Sequence, residues 1–294
     1  MLFTEVADVP QGPKVVAVGS FDGVHLGHQH LLHLAKEEAK ALRLPLLVYT
    51  FDPPSKVFTR GEGFLSEVSE KVEALWQAGA ELVLVVPFNE AFARRSKEEF
   101  LEDLKALEAR LLYVGEDFRF GQGRAGGPED LERVAPVRTV PLLSLLGGPV
   151  KSSRIRDLLK EGRVEEARHL LGRPYAARGV VVEGEKMGRR LGFPTLNLAL
   201  PPKKLLPPGV YAVRAHTPRG SFFGMANVGV RPTLGEGPLR LEVHLFGFSG
   251  DLYGEEVRVE FLKKLREERR FASLEELKAQ LAKDREEALR YFGL

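Results

Sequence analysis

The 294-residue chain contains no cysteine, which excludes disulfides and thiolate metal sites and fits a reducing cytoplasm. It has little charge of either sign to spare. Its 43 basic and 41 acidic side chains leave a net charge of +2, so nothing argues for nucleic acid or an acidic membrane as main partner. No apolar run approaches transmembrane length. Met1-Leu2-Phe3-Thr4-Glu5 has neither a basic n-region nor a long apolar h-region, so no signal peptide is expected. The pattern G-x-x-x-x-G-K-[ST] is absent throughout, which excludes a P-loop kinase. No repeat or low-complexity tract stands out, and the oligomeric state is left open. What remains, 44% hydrophobic and 29% charged residues, is the composition of a globular protein long enough for two domains.

Val15-Val16-Ala17-Val18 is a β-branched run suited to a strand buried on both faces. Gly19-Ser20-Phe21-Asp22-Gly23 follows as a turn, and from about Gly27 the spacing of Leu31, Leu32, Ala35 and Ala39 predicts an amphipathic helix. His25 and His28 fall where that helix begins, three residues apart. Free N–H groups and the helix dipole favour anions at such a place. A lone helical histidine is usually only a partly exposed polar residue; the strand, the turn and the pair together point to phosphate.

Strands are predicted over 46–51, 82–86, 111–114 and 137–141, alternating with helices over 67–78, 97–109 and 128–134. Helices over 153–159 and 164–171 follow. This alternation predicts a parallel, doubly wound sheet that binds ligands at the carboxyl ends of its strands. Near Gly172-Arg173-Pro174-Tyr175 the texture changes to short alternating segments (177–182, 210–215, 222–228, 239–246 and 256–261) separated by turn signals. These predict an antiparallel barrel. Ser273-Leu274-Glu275-Glu276 is a capping box for a terminal helix reaching about Tyr291. The boundary is placed at 172/173, giving domains 1–172 and 173–294.

Two further segments stand at helix or strand ends of the first half. Gly115-Glu116-Asp117-Phe118-Arg119-Phe120-Gly121 follows a strand, and Ser152-Ser153-Arg154-Ile155-Arg156 opens a helix. Hydroxyls and guanidinium forks there suit phosphate oxygens. Gly121-Gln122-Gly123-Arg124-Ala125-Gly126 fits G-x-G-x-x-G, but it does not sit on a strand-to-helix turn, so it fails as a dinucleotide fingerprint. In the second half, Gly184-Glu185-Lys186-Met187-Gly188-Arg189-Arg190-Leu191-Gly192-Phe193-Pro194-Thr195-Leu196-Asn197 combines glycines for close phosphate approach with oxygen ligands for a hard cation. Leu239, Leu241, Val243 and Leu245 alternate with Arg240, Glu242 and His244, which turns Glu242 away from the apolar face.

Gly19 to His28 resembles the first motif of the HxGH nucleotidyltransferases, in the form G-x-F-D-G-x-H-x-G-H of prokaryotic bifunctional riboflavin kinase/FAD synthetases. Gly188-Arg-Arg-Leu-Gly-Phe-Pro-Thr-Leu-Asn197 resembles the riboflavin kinase signature, with Leu196 in place of the usual alanine. Glu242-Val243-His244-Leu245, Asp251-Leu252-Tyr253-Gly254, Asn227 through Thr233 and Leu265 through Phe271 match that family too.

The resemblance implies a Rossmann-like adenylyltransferase domain and a kinase barrel. The barrel phosphorylates riboflavin with ATP, and the first domain adenylylates FMN to FAD, releasing pyrophosphate. It implies that His25 and His28 meet the ATP phosphates, helped by Gly19, Phe21, Gly27, Ser153, Arg154 and Arg156, with Asp117 near the reacting flavin phosphate. In the barrel it implies Glu242 as proton acceptor, Gly184, Gly188 and Arg189 at ATP, Thr195 and Asn197 on Mg²⁺, and Arg266 and Phe271 at the flavin. Where the family commonly reads Phe-Glu-Pro-His-Pro, this chain has Phe51-Asp52-Pro53-Pro54-Ser55. Pro54 leaves a kinase with an impaired adenylyl step as one alternative; a non-catalytic flavin- or nucleotide-sensing protein is a separate one.

Overall fold

In the computed structural model, which describes residues 1–184, 187–229 and 239–294, the chain divides into two compact units, Met1–Ser152 and Ser153–Leu294. The first is built on β1 (Leu2–Phe3), β2 (Lys14–Val18), β3 (Leu46–Asp52), β4 (Leu82–Pro87), β5 (Ala109–Gly115) and β6 (Val137–Val140). All pairings among them are parallel, in the order β1-β4-β3-β2-β5-β6. Helices α1 (Leu26–Leu42), α2 (Ser55–Arg60), α3 (Val68–Gln77), α4 (Glu90–Ala93), α5 (Lys97–Ala106) and α6 (Pro128–Leu131) connect them.

Alternate residues of each strand feed opposite faces. Val15, Ala17, Val48 and Val83 pack with Leu32 of α1 and Leu75 of α3 on one face. Val16, Val18, Leu47 and Leu84 pack with Phe100 and Leu104 of α5 on the other. This is the predicted doubly wound sheet, with differences at element ends, the helix expected over 128–134 ending at Leu131. The helix expected over 97–109 stops at Ala106, because Glu108 takes a left-handed conformation (φ 54°) that turns the chain into β5. The edge strand β1 and the short helices α2 and α4 carry too few residues to show a period.

Two-residue strands β7 (Ser144–Leu145) and β8 (Gly148–Pro149) pair antiparallel, and α7 (Ser152–Lys160) and α8 (Val164–Leu171) follow. The second unit contains β9 (Tyr175–Val182), α9 (Met187–Leu191), β10 (Leu196–Ala199), β11 (Gly209–Thr217), β12 (Gly220–Gly229), β13 (Arg240–Leu245), β14 (Glu256–Arg266) and α10 (Leu274–Phe292). Its strands close an antiparallel barrel in the order β10-β13-β12-β11-β14-β9. Val181, Val213, Leu241, Val243, Val259 and Phe261 are buried in it. Helix α10 packs Ala288, Leu281 and Phe292 with Ala212 and Met225 of the barrel wall and Phe193 beside it. Ser273 caps it by accepting the Glu276 N–H at 3.1 Å, while the Glu276 carboxylate accepts the N–H of Ala272 at 3.0 Å. The strand β10 starts at the end of the glycine- and arginine-rich segment Gly184–Asn197, where no strand is expected. Only Leu198 of its four residues is buried, so no alternation announces it.

Candidate active sites

The strand order places β2 beside β5, with the crossovers leaving in opposite directions, so a crevice opens at their carboxyl ends. The loop from β2 into α1 lies there. Phe21 (φ 47°), Gly23 (φ 81°) and Val24 (φ 39°) all have left-handed backbones, a strained state for the β-branched valine that costs on the order of 1–3 kcal/mol. A dense set of bonds holds it. The Asp22 carboxylate accepts the N–H groups of Leu65 and Ser66 at 3.0 and 3.2 Å, and Ser66 Oγ accepts the Gly23 N–H at 3.0 Å. Gln29 Nε2 donates to the Val24 carbonyl at 2.8 Å, and Ser152 Oγ donates to the Asp22 carbonyl at 2.9 Å. Asp22, in the middle of the motif, is therefore a buried loop fastener, a task its place in a turn does not disclose.

His25 is the N-cap of α1. Its Nδ1 accepts the N–H of His28 at 3.3 Å, which leaves Nε2 as the donor nitrogen of the neutral ring. The two imidazoles stack, with centroids 3.5 Å apart and planes 15° apart, and His28 meets the edge of Phe21 at 5.1 Å. Gly27 is fixed by space, since a Cβ there would lie 3.2 Å from the His25 ring. A Cβ at Gly19 would press on the Phe21 ring at 3.1 Å. Gly19, Phe21, Gly27, His25 and His28 thus form one packed turn. Asp117 stands just beyond β5, exposed, and pairs with Lys151 at 3.3 Å. Ser153, Arg154 and Arg156 occupy the first turns of α7, where Arg156 is buried. Pro54 precedes α2, and the next residue, Ser55, sets its hydroxyl 3.1 Å from that of Ser20.

Sequence reading misses an aromatic group at the same end of the sheet. Phe51 at the end of β3, Phe88 after β4 and Phe92 in α4 pack with centroids 5.3 to 5.7 Å apart, and the exposed Phe58 of α2 meets Phe88 at 5.7 Å. The available signal is phenylalanine recurring at the ends of two buried strands, within β3 and just past β4.

On the barrel, Asn197 of β10 is the register partner of Glu242 on β13, and Asn227 of β12 flanks Glu242 from the other side. Because facing residues of neighbouring strands share a sheet face, the three polar groups form a row on the outer wall. Gly184 gives this row room, for a Cβ there would run into the Asn197 amide. A Cβ on Gly188 would strike the Phe193 carbonyl and approach Thr195 Oγ1 to 3.3 Å. Arg189 is exposed on α9. His244, two residues beyond Glu242, pairs its Nδ1 with the Pro194 carbonyl at 2.8 Å and sets its ring edge-on to Phe193. Burial holds its pKa below the usual histidine value against that hydrogen bond, so the ring is neutral near pH 7 and Nδ1–H donates.

Arg266 is held in place by α10. Its Nε and Nη2 grip the buried Asp284 carboxylate at 2.9 and 2.7 Å, and its guanidinium lies 5.6 Å from the Phe271 centroid. Arg269 approaches the same ring at 4.8 Å. Glu185, Lys186 and the matched segment from Val230 to Thr233 lie outside the described residues.

Thr195 Oγ1, the Asn197 amide oxygen and nearby backbone are neutral oxygen donors, a set that fits a magnesium ion whose charge is balanced by nucleotide phosphates. Among the described residues no cluster of histidines and carboxylates offers an alternative metal site. Likewise no helix there is long and apolar enough to cross a membrane.

Anion-favouring helix starts on the sheet, and a carboxylate beside oxygen ligands on the barrel, suit nucleotidyl and phosphoryl transfer respectively. The class is therefore a two-domain ATP-dependent transferase. A family model for FAD synthetase matches residues 8–154, and one for riboflavin kinase matches residues 171–292. The chain is 39% identical over 296 residues to a bifunctional riboflavin kinase/FMN adenylyltransferase of Bacillus subtilis, covering 96% of this chain and 94% of that protein. It is 38% identical over 300 residues to the Escherichia coli K12 protein so described, covering 98% and 96%. A crystal structure from Streptococcus pneumoniae, described as a macrolide-efflux protein, superposes with TM-score 0.87 at 34% identity over 99% of this chain and 98% of that one. The chain belongs to the bifunctional riboflavin kinase/FMN adenylyltransferase family, with a kinase and an adenylyltransferase in one polypeptide.

Proposed function

We propose that residues 173–294 phosphorylate riboflavin and residues 1–172 adenylylate the FMN produced. The observation that carries the kinase assignment is the row Asn197–Glu242–Asn227 beside Thr195. The riboflavin 5′-hydroxyl attacks the γ-phosphorus of ATP, the bond to ADP breaks, and the Glu242 carboxylate takes the hydroxyl proton. Thr195 and Asn197 would hold Mg²⁺, which supplies charge neutralisation on the phosphates when bound. Gly184, Gly188 and Arg189 approach ATP, and Phe271, bracketed by Arg266 and Arg269, offers a face to the flavin ring.

In the first domain the FMN phosphate attacks the α-phosphorus of ATP and pyrophosphate leaves. That nucleophile is already ionised near pH 7, so positioning and charge stabilisation suffice. His25 and His28 supply them on the packed turn of Gly19, Phe21 and Gly27, and by the family resemblance Ser153, Arg154 and Arg156 of α7 share the task. Asp117 stands near the reacting flavin phosphate. The Phe51, Phe58, Phe88 and Phe92 group gives the isoalloxazine an aromatic wall at the strand ends. Pro54 keeps a second reading in view, a kinase with a weakened adenylyl step, since proline offers no side-chain donor where the resembling family has histidine.

ATP, ADP, riboflavin, FMN and FAD are then the ligands, with no nucleic acid or membrane partner, and the absence of cysteine supports a cytoplasmic setting. Incubation with riboflavin, ATP and Mg²⁺, with FMN and FAD separated, tests the reading. FAD is expected, FMN alone selects the weakened enzyme, and neither product refutes both.

A further inference from the structure

We propose that Lys71 is a positioning residue for adenylyl transfer, locking the histidine-bearing loop to the end of β3. Lys71 sits on α3 with no exposed surface. Its Nζ donates to the Ser20 carbonyl at 3.3 Å and to the Phe51 carbonyl at 2.5 Å. The first lies in the Gly19–Val24 turn and the second in β3.

The β2–β3 ladder ends at the pair Val18 and Tyr49, with one more bond from the Gly19 N–H to the Tyr49 carbonyl at 3.1 Å. Beyond that rung the two chains part, one toward His25 and the other toward Pro54. Lys71 bridges them where the ladder no longer does. Thr50 Oγ1 reinforces the same point by donating to the Ser20 carbonyl at 3.0 Å.

Burying an ammonium is expensive, and a methionine would fill the same volume without that cost. What lysine adds is donors for two carbonyls, one in the turn and one at the end of β3. Burial pushes its amine down to about 8, against the fields of the Asp22 and Asp52 carboxylates, which hold it up. The group is thus charged near pH 7 inside the site's own scaffold. A shift of about 1 Å in a catalytic loop can cost on the order of 100-fold in rate, so the tie bears on chemistry as well as on packing.

This inference rests on His25 and His28 being the phosphate-binding pair, and the full-length chain tests both. In Lys71→Met, kcat for FMN to FAD is expected to fall about tenfold or more and KM for ATP in that reaction to rise several-fold. Riboflavin phosphorylation in the same preparation should keep its kcat and its KM for ATP. Lys71→Gln, which retains N–H donors, should recover part of the KM change, and it carries the same criterion if the methionine variant does not fold. A kcat that merely follows the folded fraction at unchanged KM overturns the proposal, as does wild-type adenylyl transfer. His28→Ala, assayed alongside, separates the two readings: full FAD synthesis in that variant sinks the histidine site and this inference with it. An inactive His28→Ala beside an unaffected Lys71→Met refutes the lysine alone.

Discussion

Asn197 and Glu242 face each other across the β10–β13 ladder, the first ending a fourteen-residue motif and the second set by a simple apolar alternation. A metal-suited amide thereby stands next to a carboxylate able to take a proton, on one outer wall of a closed barrel.

Replacing Glu242 by Gln keeps the shape and removes the proton acceptor. FMN formation should fall about 10²- to 10⁴-fold, the usual contribution of a positioned base. Supplied FMN should still become FAD. Chromatographic separation of the flavins reads both, and loss of both reactions would undo the division of labour between the domains.

Gly184→Ala tests the space above Asn197, which the added methyl group would invade. Kinase turnover is expected to drop about tenfold through displacement of the amide, with FAD synthesis from FMN untouched. A wild-type kinase rate in this variant would mean that Asn197 is not held where ATP and its metal are handled.

His28→Ala removes one member of the stacked pair while leaving the His25 cap. Adenylyl transfer should fall about 100-fold, as for loss of one preorganised charge-stabilising group, and riboflavin phosphorylation should persist. Pyrophosphate release in the presence of FMN is the direct measure.

Acid stability of the barrel should depend on Glu260. Burial alone would push this carboxyl up, but hydrogen bonds and charge from Arg214 (2.7 Å) and Arg258 (2.6 Å) outweigh it and hold the pKa below the usual 4.5. A depressed carboxylate contributes stability that is complete above the unfolded value, near pH 4.5, and is lost as pH falls through the folded one. Thermal unfolding from pH 6 to 3 should therefore show a steeper loss for the wild type than for Glu260→Gln. Parallel curves would remove Glu260 from the account.

Much of this is legible in the sequence. The paired histidines, the Thr-x-Asn segment and the outward Glu242 follow from motif and alternation, because side-chain period and helix starts leave local marks. What was not legible is non-local. Asp22 spends its carboxylate on the N–H groups of Leu65 and Ser66, more than forty residues away, and Asn227 gains its place only when β12 pairs with β13. Arg266 is expected at the flavin from the family resemblance alone, and its grip on Asp284 of α10, eighteen residues on, leaves no local mark. Strand β10 was hidden because four residues with one buried side chain have no period to read.

The two-residue strand β1 has a consequence for solubility. It covers the outer side of β4, whose Leu82-Val83-Leu84-Val85-Val86 would otherwise offer unpaired backbone along an apolar, β-branched edge. Such edges template intermolecular sheets, and a very short edge strand is one way to blunt them. Met1 adds to the cover by donating its terminal ammonium to the Glu81 carbonyl at 2.8 Å. Changes to Leu2 and Phe3 that remove this pairing therefore bear on self-association through the β4 edge.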